Sequence, residues 1–268
     1  MKIILSPAKK MKINDDLGIR WSDTPQFMPQ TEEILSWMRE KTPAELQKLW
    51  ACNDKIAEEN LERVRTMDLY GRLSPAILSY EGIAFQYMAP AVFEEEQIDY
   101  IREHLRILSA FYGVVRPLDG VTPYRLEMGA KPGGELPGGH RNLYSFWGDR
   151  LYKAVRDDSG IIINLASKEY SKCIEKYLGE GDRFLTVVFC ERAGDKLVTK
   201  GTYAKMARGD MVRYMAEMKI EKAEDIRNYD RLGYVFREDL SSETEYVFER
   251  KVPEDQNTPE NQNITGRK

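Results

Sequence analysis

Two kinds of apolar pattern alternate along the chain. Ile3-Ile4-Leu5 within Lys2 to Ser6, and Ile161 to Leu165, are short unbroken runs, the mark of strands buried on both faces. Elsewhere apolar residues recur three or four apart. Ile34, Leu35 and Met38 give Thr31 to Lys41 a helical period. Thr42-Pro43-Ala44-Glu45 starts another helix: Thr42 caps it, Pro43 suits its first turn, and Glu45 completes a capping box. Ser74-Pro75 repeats the device before Ala76 to Tyr87, and Glu94-Glu95-Glu96 puts negative charge ahead of Gln97 to Leu105, where a helix dipole favours it. Leu108 to Met128 reads as a strand, a turn at Asp119-Gly120 and a second extended piece. Lys131 to His140 is a glycine- and proline-rich excursion. Asn142 to Arg156 reads as one helix with an aromatic face, and Ser167 caps a helix over Lys168 to Leu178. Arg183 to Cys190 and Lys196 to Thr199 are strands about a turn at Ala193-Gly194-Asp195. Thr202 to Lys219 is a long helix, and Tyr234 to Arg237 and Tyr246 to Glu249 are late strands.

The expected fold class is α/β (mixed α+β): a central mixed sheet wrapped by helices, with one antiparallel pair, as a single domain over 1–252. Residues 253–268 are polar and aperiodic, the pattern of a disordered tail.

Composition narrows the function. A 42% apolar share supplies a sizeable core, and a net charge of -4 argues against a nonspecific polycation while leaving room for a local basic groove. Cys52, Cys173 and Cys190 include no Cys-x-x-Cys pair, so a disulfide framework or zinc knuckle is not expected and a reducing cytoplasm fits. Cys190, within "FLTVVFC", reads as core. His104 and His140 are too far apart in sequence to be read as a metal site. No run has the length of a membrane span, and Ile3-Ile4-Leu5 is too short for a signal peptide. No cofactor, membrane or obligate protein partner is expected.

The common nucleotide, hydrolase and zinc-protease signatures are missing: no Gly-x-x-x-x-Gly-Lys-Ser/Thr, no Gly-x-Gly-x-x-Gly after a strand, no Gly-x-Ser-x-Gly and no His-Glu-x-x-His. Three segments carry candidate chemistry instead. "SPAKK" leaves the first strand with Lys9 and Lys10, either facing an anion or solvated as ordinary surface lysines. Phe111 to Met128 holds Tyr112, Arg116, Tyr124 and Arg125, suited to phosphate or a base, with Asp119 and Glu127 as rival internal partners for the arginines. Thr199 to Lys219 turns Tyr203, Ala207, Met211, Tyr214, Met215 and Met218 to one core-like face. Lys205, Arg208 and Lys219 lie opposite, Arg213 flanks them, and Gly209 and Ala216 leave room for a bulky partner. A fourth segment, "LWACNDKIA" from Leu49 to Ala57, follows the helix-hairpin-helix pattern that offers backbone N–H groups to a DNA phosphate, with Ala51 and Asn53 in place of its two glycines.

Together these stretches resemble the YaaA peroxide stress protein family. The resemblance runs through "SPAK" at Ser6 to Lys9, "LWACNDKIAEEN" at Leu49 to Asn60, "LSAFYGVVRPLDGVTPYRLEM", "NLYSFWGDRL" at Asn142 to Leu151, "NLASKEY" at Asn164 to Tyr170 and "ARGDMVRY" at Ala207 to Tyr214. It implies a mixed α/β fold with a positively charged cleft, and a cytoplasmic protein that limits peroxide damage, in part by keeping unincorporated iron low. It also implies binding to double-stranded DNA with a helix-hairpin-helix-like element, here Leu49 to Ala57. No catalytic residue is transferred.

The expectation is therefore a basic cleft of Lys9, Lys10, Arg116, Arg125, Lys205, Arg208 and Arg213, with Ala51, Asn53 and Lys55 at a nearby hairpin. The rival is an enzyme on a nucleotide, nucleobase or damaged nucleic acid. For it, Tyr112, Tyr124, Asn164, Ser167 and Glu169 are candidate contacts, with Glu169 either a general base or a first-turn glutamate favoured by the dipole. Direct iron sequestration would need carboxylates assembled from distant sequence.

Overall fold

The computed structural model describes residues 1–14 and 18–251. The expected tail over 253–268 lies outside the described residues. An eight-stranded sheet runs through the molecule. Its strands are β1 (Lys2–Leu5), β2 (Leu105–Ser109), β3 (Gly113–Val115), β4 (Ile161–Leu165), β5 (Arg183–Ala193), β6 (Lys196–Val198), β7 (Tyr234–Phe236) and β8 (Glu245–Arg250). The order is β7-β8-β5-β4-β1-β2-β3, with β6 folded back on the end of β5. The five strands from β8 to β2 are parallel; β3, β6 and β7 pair antiparallel. One antiparallel pair was expected; this sheet has three, because short return strands close both flanks and β6 folds back on β5, and two further two-stranded pairs lie outside it among the described residues.

The unbroken apolar runs sit in the middle. Ile3, Ile4, Leu5, Ile162, Ile163 and Leu165 are buried, as parallel strands covered on both faces must be. Lys2 shares that strand, and its ammonium reaches out to Glu103 (2.6 Å). Nine α-helices of five or more residues pack around the sheet among the described residues: α1 (Met28–Arg39), α2 (Pro43–Trp50), α3 (Asp54–Thr66), α4 (Ile83–Met88), α5 (Glu95–His104), α6 (Leu143–Trp147), α7 (Arg150–Val155), α8 (Lys168–Glu175) and α9 (Gly201–Glu217). The capping box of α2 forms as its sequence dictates, Thr42 Oγ1 accepting from the Glu45 N–H and Glu45 from the Thr42 N–H.

Two expected helices are broken. Ala76 to Tyr87 is a single turn, Ala76–Ser79, then a short bridge of Tyr80–Glu81 with Lys10–Met11, then α4. Tyr80 turns extended (ψ 122°) and ends the first turn, and Gly82 sits in the break, where a Cβ would meet the Ala8 side chain at 2.7 Å. Asn142 to Arg156 divides into α6 and α7 at Gly148, whose φ of 56° and ψ of -136° end the first helix. In α9 the core face is broader than the pattern implied, while Met218 is exposed (58%). The bulky partner expected beside Gly209 is the protein's own α4. A Cβ on Gly209 would fall 1.8 Å from the Ala84 carbonyl oxygen, so the two helices touch backbone to backbone.

Candidate functional site

The connection from β1 departs toward β2 and that from β4 toward β5, on opposite sides. In open α/β sheets the crevice beyond the carboxyl ends of such strands is where ligands lodge. Ser6 leaves β1 there and Ser167 leaves β4. The Ser167 N–H donates to Ser6 Oγ (2.8 Å), and the two hydroxyl oxygens lie 3.2 Å apart. Beyond Ser6, Ala8 packs on Gly82, and Lys9 pairs with Glu127 (2.5 Å). Burial alternates around Glu127: Tyr124, Leu126 and Met128 are buried, whereas Arg125 and Glu127 are half-buried. In extended chain that alternation turns Arg125 and Glu127 to one side. Helix α9 begins near this edge, because β6 returns only to Val198, opposite Glu191. Lys205 and Arg208, three residues apart, are neighbours on the first half of the helix. Gly209 follows at the α4 contact, two residues from Gly82.

Four buried side-chain polar atoms among the described residues lack a hydrogen-bond partner: Trp50 Nε1, Arg125 Nε, Glu127 Oε1 and Arg208 Nε. The last three belong to the segments just assembled. Glu127 Oε1 is charge-paired with Lys9, yet out of hydrogen-bonding alignment with it. Burial holds the Arg208 guanidinium below the ordinary arginine range, and no carboxylate offsets it. Buried polar groups are nearly always satisfied, and an unpaired one calls for an ion, water or ligand.

The other expected cations divide. Lys10 shares Glu81 with Lys12 (2.9 and 3.0 Å). Arg116 Nε bonds Asp119 (3.0 Å), with Asp23 3.6 Å from its Nη2. Arg213 bonds Glu217 (2.7 Å), which also binds Arg231 (2.6 Å). Arg125, Lys205 and Arg208 form no ion pair among the described residues. Topology sorts them further. Antiparallel β3 carries Arg116 back toward the edge where β2 begins, away from Ser6 and Ser167. Arg213 lies five residues beyond Arg208, about 140° around the helix.

The candidate small-ligand contacts are mostly interior. Tyr112 exchanges bonds with the Thr122 backbone, and the Thr122 N–H reaches its hydroxyl at 3.1 Å. The Tyr124 hydroxyl meets Ser109 Oγ (2.7 Å) and Tyr80 (3.0 Å), and burial pushes its pKa up to about 12. Asn164 accepts from the Ala166 N–H (2.9 Å) and donates to Thr186 (3.3 Å), tying β4 to β5. Glu169, in the first turn of α8, accepts from the Gly129 N–H (2.7 Å). Sequence reasoning did not single out Ser6 or Glu127 as site anchors. The signal was a serine placed where a buried apolar run stops.

Leu49 to Ala57 spans the end of α2, a tight connection over 51–53 and the start of α3. Ala51 adopts the left-handed conformation (φ 46°), and Asn53 Oδ1 caps α3 by accepting from the Ile56 N–H (3.1 Å). Ala51, Asn53 and Lys55 are exposed, as are Glu58, Glu59 and Glu62 on the following helix. Among the described residues no group of three or more His, Cys, Asp or Glu side chains could hold a metal ion.

The fold defines a mixed α/β protein with a topological switch point between β1 and β4, and Arg125 and Arg208 each keep a buried Nε without an acceptor among the described residues. The family model described as peroxide stress protein YaaA matches residues 1–240, and the chain belongs to that family, whose name marks a role in oxidative stress. It is 62% identical over 252 residues to a UPF0246 protein of Agathobacter rectalis, covering 94% of this chain and 100% of the relative. A UPF0246 protein of Lachnoclostridium phytofermentans is 51% identical over 248 residues, 92% of this chain and 96% of the relative. One from Limosilactobacillus reuteri is 45% identical over 250 residues, 93% of this chain and 99% of the relative. No described helix is long and apolar enough to cross a membrane.

Proposed function

We propose that this protein counters peroxide stress by binding double-stranded DNA along the carboxyl edge of its sheet, and so helps to limit iron-dependent damage to the duplex. Arg125, Lys205 and Arg208 meet phosphates directly. Lys9 and Lys10 join them when phosphate displaces Glu127 and Glu81, since exposed ion pairs are worth only about 0–1 kcal/mol. Ala51, Asn53 and Lys55 form a second contact at the hairpin. The observation that supports this most is the pair of buried Nε atoms, on Arg125 and Arg208, with no acceptor among the described residues. A guanidinium left without a partner costs free energy that an incoming anion recovers.

Titrating duplex binding against salt tests this reading. The three direct contacts alone predict a log–log slope of about -3, and each further phosphate taken by Lys9, Lys10 or Lys55 steepens it by about 1. Lys205→Ala and Arg208→Ala should each make the slope shallower by about 1 and weaken all sequences alike, because phosphate contacts carry no sequence information. Arg208→Ala should keep its thermal stability, since it removes an unpaired charge. A salt-independent response, or no binding at low salt, defeats the proposal.

One observation favours a second reading, an enzyme acting on a nucleotide, nucleobase or damaged nucleic acid. Ser6 and Ser167 meet at the switch point, and the Glu127 carboxylate there is held by Lys9 alone among the described residues. Conversion of nucleotides or damaged oligonucleotides that Glu127→Gln abolishes would support it. Absence of any turnover would remove it.

A further inference from the structure

The opposite edge of the sheet carries an arginine pair that the DNA reading does not use. Arg106 is the polar break in the buried strand Leu105–Ser109. Ile107 pairs with Val115, so one further step of the antiparallel register sets Arg106 across from Arg116. Cross-strand partners face the same side of a sheet, and like charges so placed repel. Burial holds Arg106 below the ordinary arginine value, and the nearby Arg116 adds to that effect. Both side chains line one cavity of about 370 Å³, together with Gln26, Val114, Asp119 and Ala154.

The countercharge in this cavity is gathered on Arg116, which Asp119 and Asp23 (3.6 Å from its Nη2) both face, and Arg106 has no carboxylate in contact among the described residues. Asp119 serves Arg116 twice, accepting from its backbone N–H (2.8 Å) and its Nε (3.0 Å). Arg106 donates from Nη1 to the carbonyl oxygens of Arg102 (3.2 Å) and Leu105 (2.8 Å). It forms no ion pair with a described carboxylate. Glu103 and Asp157, besides Asp119 in the cavity itself, act on it from farther off. Both are already engaged, Glu103 by Lys2 (2.6 Å) and Asp157 by the N-terminal ammonium (3.0 Å). Ala154 on α7 contributes only a methyl group, which leaves the space open.

We propose that this cavity binds a compact oxyanion, a phosphate dianion either free or as a phosphomonoester, bridging Arg106 and Arg116. A tetrahedral oxyanion offers oxygens to both guanidinium forks at once, and such charge-assisted bonds are the strong ones. Gln26 adds an amide donor at the rim. Such an anion would add to Asp119 and Asp23 in offsetting two arginines side by side on the ladder.

Thermal unfolding in inorganic phosphate, against sodium chloride of matched ionic strength, tests the site. Phosphate should raise Tm saturably where chloride does not, and equilibrium dialysis should find one phosphate per chain more than in Arg106→Gln. Arg106→Gln should lose that response while keeping or exceeding the wild-type Tm in phosphate-free buffer, since a repulsion is gone. Ala154→Leu, which fills the cavity, should lose it too. Lys205→Ala with Arg208→Ala should keep it in full, so failure of the DNA reading leaves this site standing. A parallel series in glycerol phosphate separates the sources: a matching response supports an ester, and a response to inorganic phosphate alone supports the free ion. A phosphate response no larger than that of chloride, or one that survives Arg106→Gln, overturns the proposal.

Discussion

Asp119 is the residue whose charge costs the fold most visibly. It is 2% exposed, and burial pushes its pKa up to about 6 from an ordinary 3.8, against the pull of its bonds from Arg116. Between those values the folded chain holds a proton that the unfolded chain has released. The stability from this group is therefore fully present below about pH 4 and lost as pH rises through about 6, a contribution of roughly 1–3 kcal/mol. Asp157 runs the other way. Burial alone would raise it, but bonds from Ser159 and the N-terminal ammonium outweigh burial and hold it at about 2. Its stabilisation is fully present above about pH 4 and is lost as pH falls from there through about 2. Asp119→Asn removes the first titration and leaves the second. The wild type should lose stability relative to this variant between about pH 4.5 and about pH 7.5. Urea midpoints at the two pH values read this directly, and a constant difference would show that Asp119 titrates near its ordinary value.

At the scale of elements, the α4–α9 crossing decides where Arg208 lies. Gly209 lets the helices meet at the Ala84 carbonyl, and the next residue back is the unpaired arginine. Alanine at 209 would gain about 1 kcal/mol of helix propensity. Against that, a methyl group 1.8 Å from a carbonyl oxygen forces the helices apart, and overpacking of this kind costs roughly 1–3 kcal/mol. Gly209→Ala should therefore lower the urea midpoint and weaken duplex binding together. A variant at least as stable as wild type would mean the crossing is looser than its geometry. The same crossing shows what the chain makes legible. Strands β1 and β4 could be read because burial on both faces requires unbroken apolar runs, and α2 because its cap is local chemistry. The breaks at Gly82 and Gly148 could not be read so easily. Gly82 yields to a contact with Ala8, some seventy residues away in the chain. For the site, Lys205 and Arg208 could be grouped by helical spacing. The separation of Arg116 from Lys9 depends on the direction of β3, which no local pattern specifies.

At the scale of the whole molecule, 40 lysines and arginines face 44 aspartates and glutamates, so a cation usually has a carboxylate within reach. Binding capacity is then a matter of which cations are left over. At the carboxyl edge Glu81 occupies two of them, Lys10 and Lys12, and those lysines hold its carboxyl below the usual range. If duplex DNA lies along this edge, Glu81 competes with phosphate, and Glu81→Gln frees both lysines without adding a charge. Low-salt affinity should rise roughly 3–10-fold, with a salt slope steeper by up to about 2. Lys10→Ala in the unaltered background should matter less than Lys205→Ala, because Lys10 is already half neutralised. These comparisons use the same salt titration, and their signs are opposite, so general loss of folding cannot imitate them. If affinity falls in Glu81→Gln, Glu81 organises the edge rather than masking it, and the duplex must contact the molecule somewhere else.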